Sequence, residues 1–242
     1  WGPFAVWRAL PDLPQWLPVR DHGRPVTDPR VPEPMPQDEP TAATAWSTGC
    51  RSAMPEANAQ TPPPRGFSAT EFEQRTVRAQ RLMAAAGLDA MLLTTEPEVR
   101  YFSGFLTRFW ESPTRPWFLI VPAAGKPVAV IPSIGVDLMA GTWLDDIRCW
   151  SAPRPEDDGV TLLADTLRDL AGSHARIGRP MGPETSLRMP LADYARLQQS
   201  LPQCQIHDAG GIVQSLNRVK SEAEIAKIAH ACAIAGRAFD DM

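Results

Sequence analysis

The sequence predicts an α/β fold, a mixed six-stranded sheet flanked by helices, on three observations. From Phe67 onward, short apolar runs of strand length alternate with segments of helical period. Capping signals open helices at Ser68 and Ser221. Two apolar runs, 117–121 and 128–131, are joined by the turn sequence Pro122-Ala-Ala-Gly-Lys126, which makes at least one strand pair antiparallel.

Taken in order, Ser68 and Glu71 form a capping box, and Phe72, Thr76, Ala79, Met83 and Ala86 keep helical period until Gly87 stops the helix. Residues 90–94 are apolar throughout, a strand buried on both faces. A short helix follows, with Pro97 in its first turn and Gly104 past its end. After the 117–131 pair, residues 134–143 read as helix and 146–150 as strand, and the run Ser151-Ala-Pro-Arg-Pro155 as loop. Val160, Leu163, Leu167 and Leu170 define one helix face. Strands are expected at 176–178 and 205–207, and helices at 191–201 and 212–216.

A last helix opens at Ser221 and Glu224, a reciprocal capping box, and carries Ile225, Ile228, Cys232, Ala235 and Phe239 on one face. That face wants a partner, and the reading is of the front part of something larger. Residues 1–66 differ from the rest. Fourteen of the 26 prolines fall there, a density that removes backbone donors and opposes both helix and sheet. A disordered extension is the reading, ahead of a docking tail for a proline-recognising partner.

Composition narrows the function classes. A net charge of -4 with scattered arginines gives no basic patch for nucleic acid. No membrane span is expected, because the most apolar stretch, 117–136, is broken by Lys126 and prolines. Without a signal-like leader the expected compartment is the cytoplasm. Cys50, Cys149, Cys204 and Cys232 are too dispersed for a disulfide framework, and three of them lie in apolar segments. The histidines are isolated, with no paired zinc-ligand spacing.

Two motifs together resemble a known family. One is Leu88-Asp-Ala-Met-Leu-Leu-Thr94 followed by Val99-Arg-Tyr-Phe-Ser-Gly-Phe105. The other is Leu216-Asn-Arg-Val-Lys-Ser-Glu-Ala-Glu-Ile225. Their pairing is similar to the creatinase, prolidase and aminopeptidase P family, "pita-bread" metallohydrolases with a non-catalytic N-terminal domain. Glu98 departs from the pattern, which often has Asn three residues before the tyrosine. The resemblance divides the chain into an extension (1–66), a creatinase-like N-terminal domain (67–217), and the first helix of a truncated catalytic domain (218–242).

The resemblance implies two divalent metal ions (manganese, zinc or cobalt), held by two Asp, one His and two Glu of the C-terminal domain, and none in this chain. Asp240-Asp241 is no such pair, since adjacent helical residues point about 100° apart. The implied protein is the N-terminal portion of an Xaa-Pro aminopeptidase or dipeptidase, a homodimer acting on peptides, with dimerisation and substrate restriction as this portion's work. A creatinase-like C–N hydrolase and a non-catalytic binding module are the alternatives.

The family's N-terminal domain also lends the loop after the tyrosine motif to a neighbouring subunit, which here singles out Arg108, Trp110 and Arg115 as substrate contacts. Either arginine would suit a peptide carboxylate, and Trp110 a prolyl ring. The opposing reading caps the sheet with Phe109, Trp110 and Trp117 and leaves both arginines in solvent. His207 beside Asp208, Ser103 and Tyr101 read as structural, with Tyr101 anchoring its short helix to the sheet.

Overall fold

The computed structural model describes residues 62–112 and 115–240. The extension expected over 1–66 therefore lies outside the described residues, apart from its last five positions.

Strands form where the pattern placed them: β1 (Ala90–Leu93), β2 (Phe118–Pro122), β3 (Val128–Pro132), β4 (Ile147–Trp150), β5 (Arg176–Arg179) and β6 (Gln205–Asp208). They lie in the order β4-β3-β2-β1-β5-β6. The β1–β2 and β2–β3 pairs are antiparallel, and the other three are parallel. The mixed sheet is thus set by two consecutive reversals around β2, with crossovers outside them.

Both faces of the sheet are covered, so the central strands are buried at every position. Alternation sends their side chains to two separate cores. Met91, Leu93, Leu119 and Val121 face one core, shared with Ala79, Met83, Val99, Phe102, Met139 and Leu216. These come from α1 (Ala69–Ala86), α2 (Glu96–Ser103), α3 (Val136–Ala140) and α6 (Gly210–Arg218). Ala90, Leu92, Phe118 and Ile120 face the other core, built with Leu163, Leu167 and Leu197 of α4 (Val160–Ala171) and α5 (Leu191–Ser200). Fully burying one such side chain contributes about 1.5–3 kcal/mol, so each strand serves two layers at once.

Local chemistry departs from the pattern at several points. Ser68 accepts from the Glu71 backbone N–H at 3.2 Å, but the Glu71 carboxylate turns to Arg75 at 3.1 Å, leaving only half of the expected box. Glu98 accepts from the backbone N–H groups of Thr94 and Thr95, at 3.3 and 3.1 Å, and so fixes the start of α2. That is the physical use of the residue that departs from the family pattern.

The helix expected over 134–143 is shortened to a 3-10 turn, Ser133–Gly135, followed by the five residues of α3. Trp117 explains the turn, because a Cβ at Gly135 would meet its ring at 2.2 Å. Conversely α6 begins two residues earlier than expected, at Gly210, whose N–H donates to Asp208 Oδ1 at 2.8 Å. The final helix, α7 (Glu222–Asp240), has the full capping box: Ser221 N–H donates to Glu224 Oε2 at 2.8 Å, and Glu224 N–H to Ser221 Oγ at 3.2 Å.

The cysteines correct the sequence reading. Cys149 and Cys232 are exposed rather than small core hydrophobes, and Cys204 is half-buried. Among the described residues no helix is long and apolar enough to cross a membrane.

Candidate functional site

The loop between α2 and β2 is organised by aromatic packing. Trp117, completely buried, lies 5.4 Å from the Phe105 ring, 5.9 Å from Trp110 and 6.3 Å from Phe109. A 3-10 turn, Arg108–Glu111, is opened by Thr107 Oγ1, which accepts from the Phe109 N–H at 3.2 Å. This turn directs Trp110 inward, where it is 8% exposed, and leaves Phe109 partly in solvent at 38%.

Arg188, from the segment before α5, holds this loop from beneath. Its Nη1 donates to the Arg115 carbonyl at 2.5 Å, and its Nη2 to the Trp110 carbonyl at 3.4 Å and to the carbonyl of Ser112. The guanidinium also lies 4.9 Å from the Trp110 ring centroid. Burial pulls the Arg188 pKa down, and Glu96 opposes the shift. An arginine nonetheless stays charged at neutral pH, so the carbonyls receive charge-assisted hydrogen bonds.

The three residues singled out from sequence are thereby separated in role. Arg108 stands in solvent, 92% exposed, beside Glu111 at 3.4 Å. Arg115 is half-buried, and its carbonyl is gripped by Arg188. Trp110 is packed between Trp117 and Arg188, so the loop's outward aromatic is Phe109, with Leu106 (56% exposed) three positions before it. Sequence reasoning missed Arg188 altogether. Its only signal was a lone basic residue in a proline-containing connection.

A second cluster sits where α6 hands over to α7. Arg75 on α1 is 1% exposed and ion-paired at 3.1 Å to both Glu71 and Glu224. It also donates to the Tyr101 carbonyl at 2.9 Å, and lies 4.1 Å from the Phe67 ring and 4.5 Å from the Tyr101 ring. Tyr101 therefore joins helices rather than anchoring α2 to the sheet: its hydroxyl donates to the Leu216 carbonyl and accepts from Arg78, both at 3.4 Å. Burial pushes the Tyr101 phenol up, against the pull of Arg78 and Arg75. Beyond this junction α7 has no buried residue, and Ile225, Ile228 and Ile234 are each 48% exposed.

Other polar candidates are fully accounted for. Ser103 Oγ donates to the Val99 carbonyl at 2.6 Å and accepts from the Phe105 N–H at 3.0 Å, a buried structural hydroxyl. His207 contacts Gln205 at 3.3 Å, while the Asp208 carboxylate accepts from the backbone N–H groups of Met181 and Gly210. The His207–Asp208 pair is not a base with an orienting partner. Among the described residues no group of three or more His, Cys, Asp or Glu side chains is placed to hold a metal ion. The described residues thus form no two-metal centre, which the resemblance assigns to the C-terminal domain, and Asp241 lies outside them.

Residues 75–219 match the model of the creatinase/prolidase N-terminal domain, more than half of the chain. The chain belongs to this family. An uncharacterized hydrolase/peptidase of Sinorhizobium fredii, y4tM, is 27% identical over 177 residues, which are 71% of this chain and 44% of that protein. The chain thus spans less than half the length of the relative it matches.

Solved structures agree on the creatinase/prolidase N-terminal fold. Dipeptidase PepE from Mycobacterium ulcerans superposes with a TM-score of 0.52 at 22% identity, covering 66% of this chain and 40% of the other. A dipeptidase from Pyrococcus horikoshii gives 0.55 at 20% identity, covering 69% and 43%. In this N-terminal domain the tyrosine motif and the Lys220-Ser221 junction meet through Arg75, Tyr101 and Glu224.

Proposed function

We propose that this domain is the non-catalytic N-terminal portion of a proline-specific metallopeptidase, an Xaa-Pro aminopeptidase or dipeptidase, and serves dimerisation and substrate restriction. The reading is carried by α7. Glu224 caps its first turn and pairs with buried Arg75, yet its isoleucines stay half exposed along the rest of its length. A helix so firmly tied at one end and bare beyond it suits the start of a second packed unit. Relatives with peptidase names, longer than this chain, support the same division of labour.

On this reading the loop after α2 is the specificity element. Arg188 holds the backbone at Trp110 and Arg115, and Arg108 and Arg115 extend from that loop as candidates for a peptide carboxylate. Phe109, the outward aromatic, is the group left to touch a prolyl ring. Two divalent ions in the catalytic portion would supply an activated water and polarise the scissile carbonyl.

Reading the gene downstream of Met242 tests this. Two Asp, one His and two Glu in that order support a hydrolase, and their absence overturns it in favour of a binding module. With those ligands present, the extended protein is assayed with manganese on Xaa-Pro peptides and on creatine. Turnover of creatine alone would replace the peptidase reading with C–N hydrolysis. Arg108→Ala and Arg115→Ala should raise the Michaelis constant of the extended enzyme, and unchanged values would remove the loop from substrate recognition.

A further inference from the structure

A cleft of about 310 Å³ opens on the sheet face opposite the junction, between α5 and the β5–β6 edge. Its walls are mixed, with Leu92 and Ile177 from the sheet, Leu197 and Leu201 from α5 and its C-terminal end, and Ile206 from β6, beside the polar groups of Tyr194 and Gln198. Volumes of this order are those of small-molecule pockets.

One cation lines this space. Arg179, the last residue of β5, projects from the same strand face as Ile177, two positions earlier, and lines the cleft. Its Nε is buried without a hydrogen-bond partner. Its guanidinium lies 4.9 Å from the Tyr194 ring centroid, which holds the planar group in place. The neighbouring carboxylate, Asp208, stands across the strand pair from it but accepts from the backbone N–H groups of Met181 and Gly210. No ion pair to Arg179 is formed among the described residues. A half-buried guanidinium with no hydrogen-bonded acceptor or ion pair among the described residues, lining a cleft that also carries Tyr194, Gln198 and Cys204, offers a site for an anionic planar group.

We propose that this cleft binds a small monocarboxylate with an apolar body. The carboxylate would accept from the terminal Nη groups of Arg179, and its aliphatic or aromatic body would cover Leu197, Leu201 and Ile206. The site is separate from the 105–117 loop and does not depend on peptide hydrolysis. An amide of the same shape lacks the charge and offers a single acceptor oxygen, so it is the informative control.

Phenylacetate and phenylacetamide are titrated against the full 242-residue chain by calorimetry, with one-dimensional ligand NMR as a second readout. Phenylacetate should bind saturably with a Kd of about 1 mM or tighter. The amide should bind at least about tenfold more weakly, as should phenylacetate to Arg179→Gln, since charge-assisted hydrogen bonds contribute that much. Arg179→Lys, which keeps charge and loses the fork, should fall between. Equal affinity for acid and amide, no saturation by about 10 mM phenylacetate, or undiminished binding to Arg179→Gln would each overturn the proposal. If Arg179→Gln does not fold, the acid–amide comparison on the unaltered chain still decides.

Discussion

Arg75 Nη2 donates to Glu224 Oε1 at 3.1 Å across 149 positions of sequence, while the other oxygen of the same carboxylate caps α7. One side chain thus joins two tasks. It satisfies the Ser221 N–H at a helix start and neutralises an arginine buried among Phe67, Phe72 and Tyr101.

Removing the two partners should therefore differ in cost. Arg75→Met leaves two carboxylates without their cation and should destabilise the domain by about 3 kcal/mol, the lower range for breaking a buried pair. Glu224→Ala leaves Arg75 still paired with Glu71 at 3.1 Å, so its cost should be about 1–2 kcal/mol, near that of a lost cap. Urea denaturation of both variants measures the order, and equal losses would contradict it.

Loop order should depend on Arg188. Arg188→Ala removes the charge-assisted bonds to the Arg115, Trp110 and Ser112 carbonyls, at a cost of about 2 kcal/mol. Proteolysis should then concentrate at residues 106–116, and tryptophan emission should shift to the red as Trp110 gains solvent. An unchanged cleavage pattern would show that aromatic packing alone holds the loop.

Much of this was legible in the sequence, and the exceptions share a cause. Strands β1 to β3 were readable because burial on two faces demands continuous apolar runs, β4 to β6 from shorter segments around Ile147, Ile177 and Ile206, and α7 because Ser221 and Glu224 cap it unambiguously. The role of Glu71 was not. Position three of a helix serves a cap and an i,i+4 arginine equally well, and tertiary burial of Arg75 decided for the ion pair. Arg188 acts on residues more than seventy positions away, a distance that periodicity cannot see. Trp110 could have faced either way, and the neighbouring Trp117 core turned it inward.

Gly135→Ala tests the close packing of Trp117. The added Cβ would sit 2.2 Å from Cζ3 of a ring that is completely buried and cannot swing aside. Overpacking of this kind should cost about 2 kcal/mol, read as a lower urea midpoint with unchanged slope. A midpoint within error of the parent would mean the turn relaxes away from the ring.

Alkaline pH should weaken the junction. Burial raises the Tyr101 pKa above its ordinary value of 10.0, so the folded state favours the neutral phenol. The sign follows: this contribution is fully present below about pH 10 and is lost as pH rises through the folded-state value. The stability difference between the parent and Tyr101→Phe should be constant from about pH 7 to 9 and move against the parent above about pH 10. Urea midpoints across that range check it, and a pH-independent difference would refute the burial argument.

Metal-dependent cleavage by the 242-residue chain alone is the most direct measurement. Purified chain is equilibrated with manganese, cobalt or zinc, assayed on Xaa-Pro dipeptides, and its bound metal counted after gel filtration. A supporting domain predicts no stoichiometric metal and no turnover above the metal-only blank. Two tightly held ions per chain, or saturable hydrolysis, would contradict the assignment of catalysis to another portion of the protein.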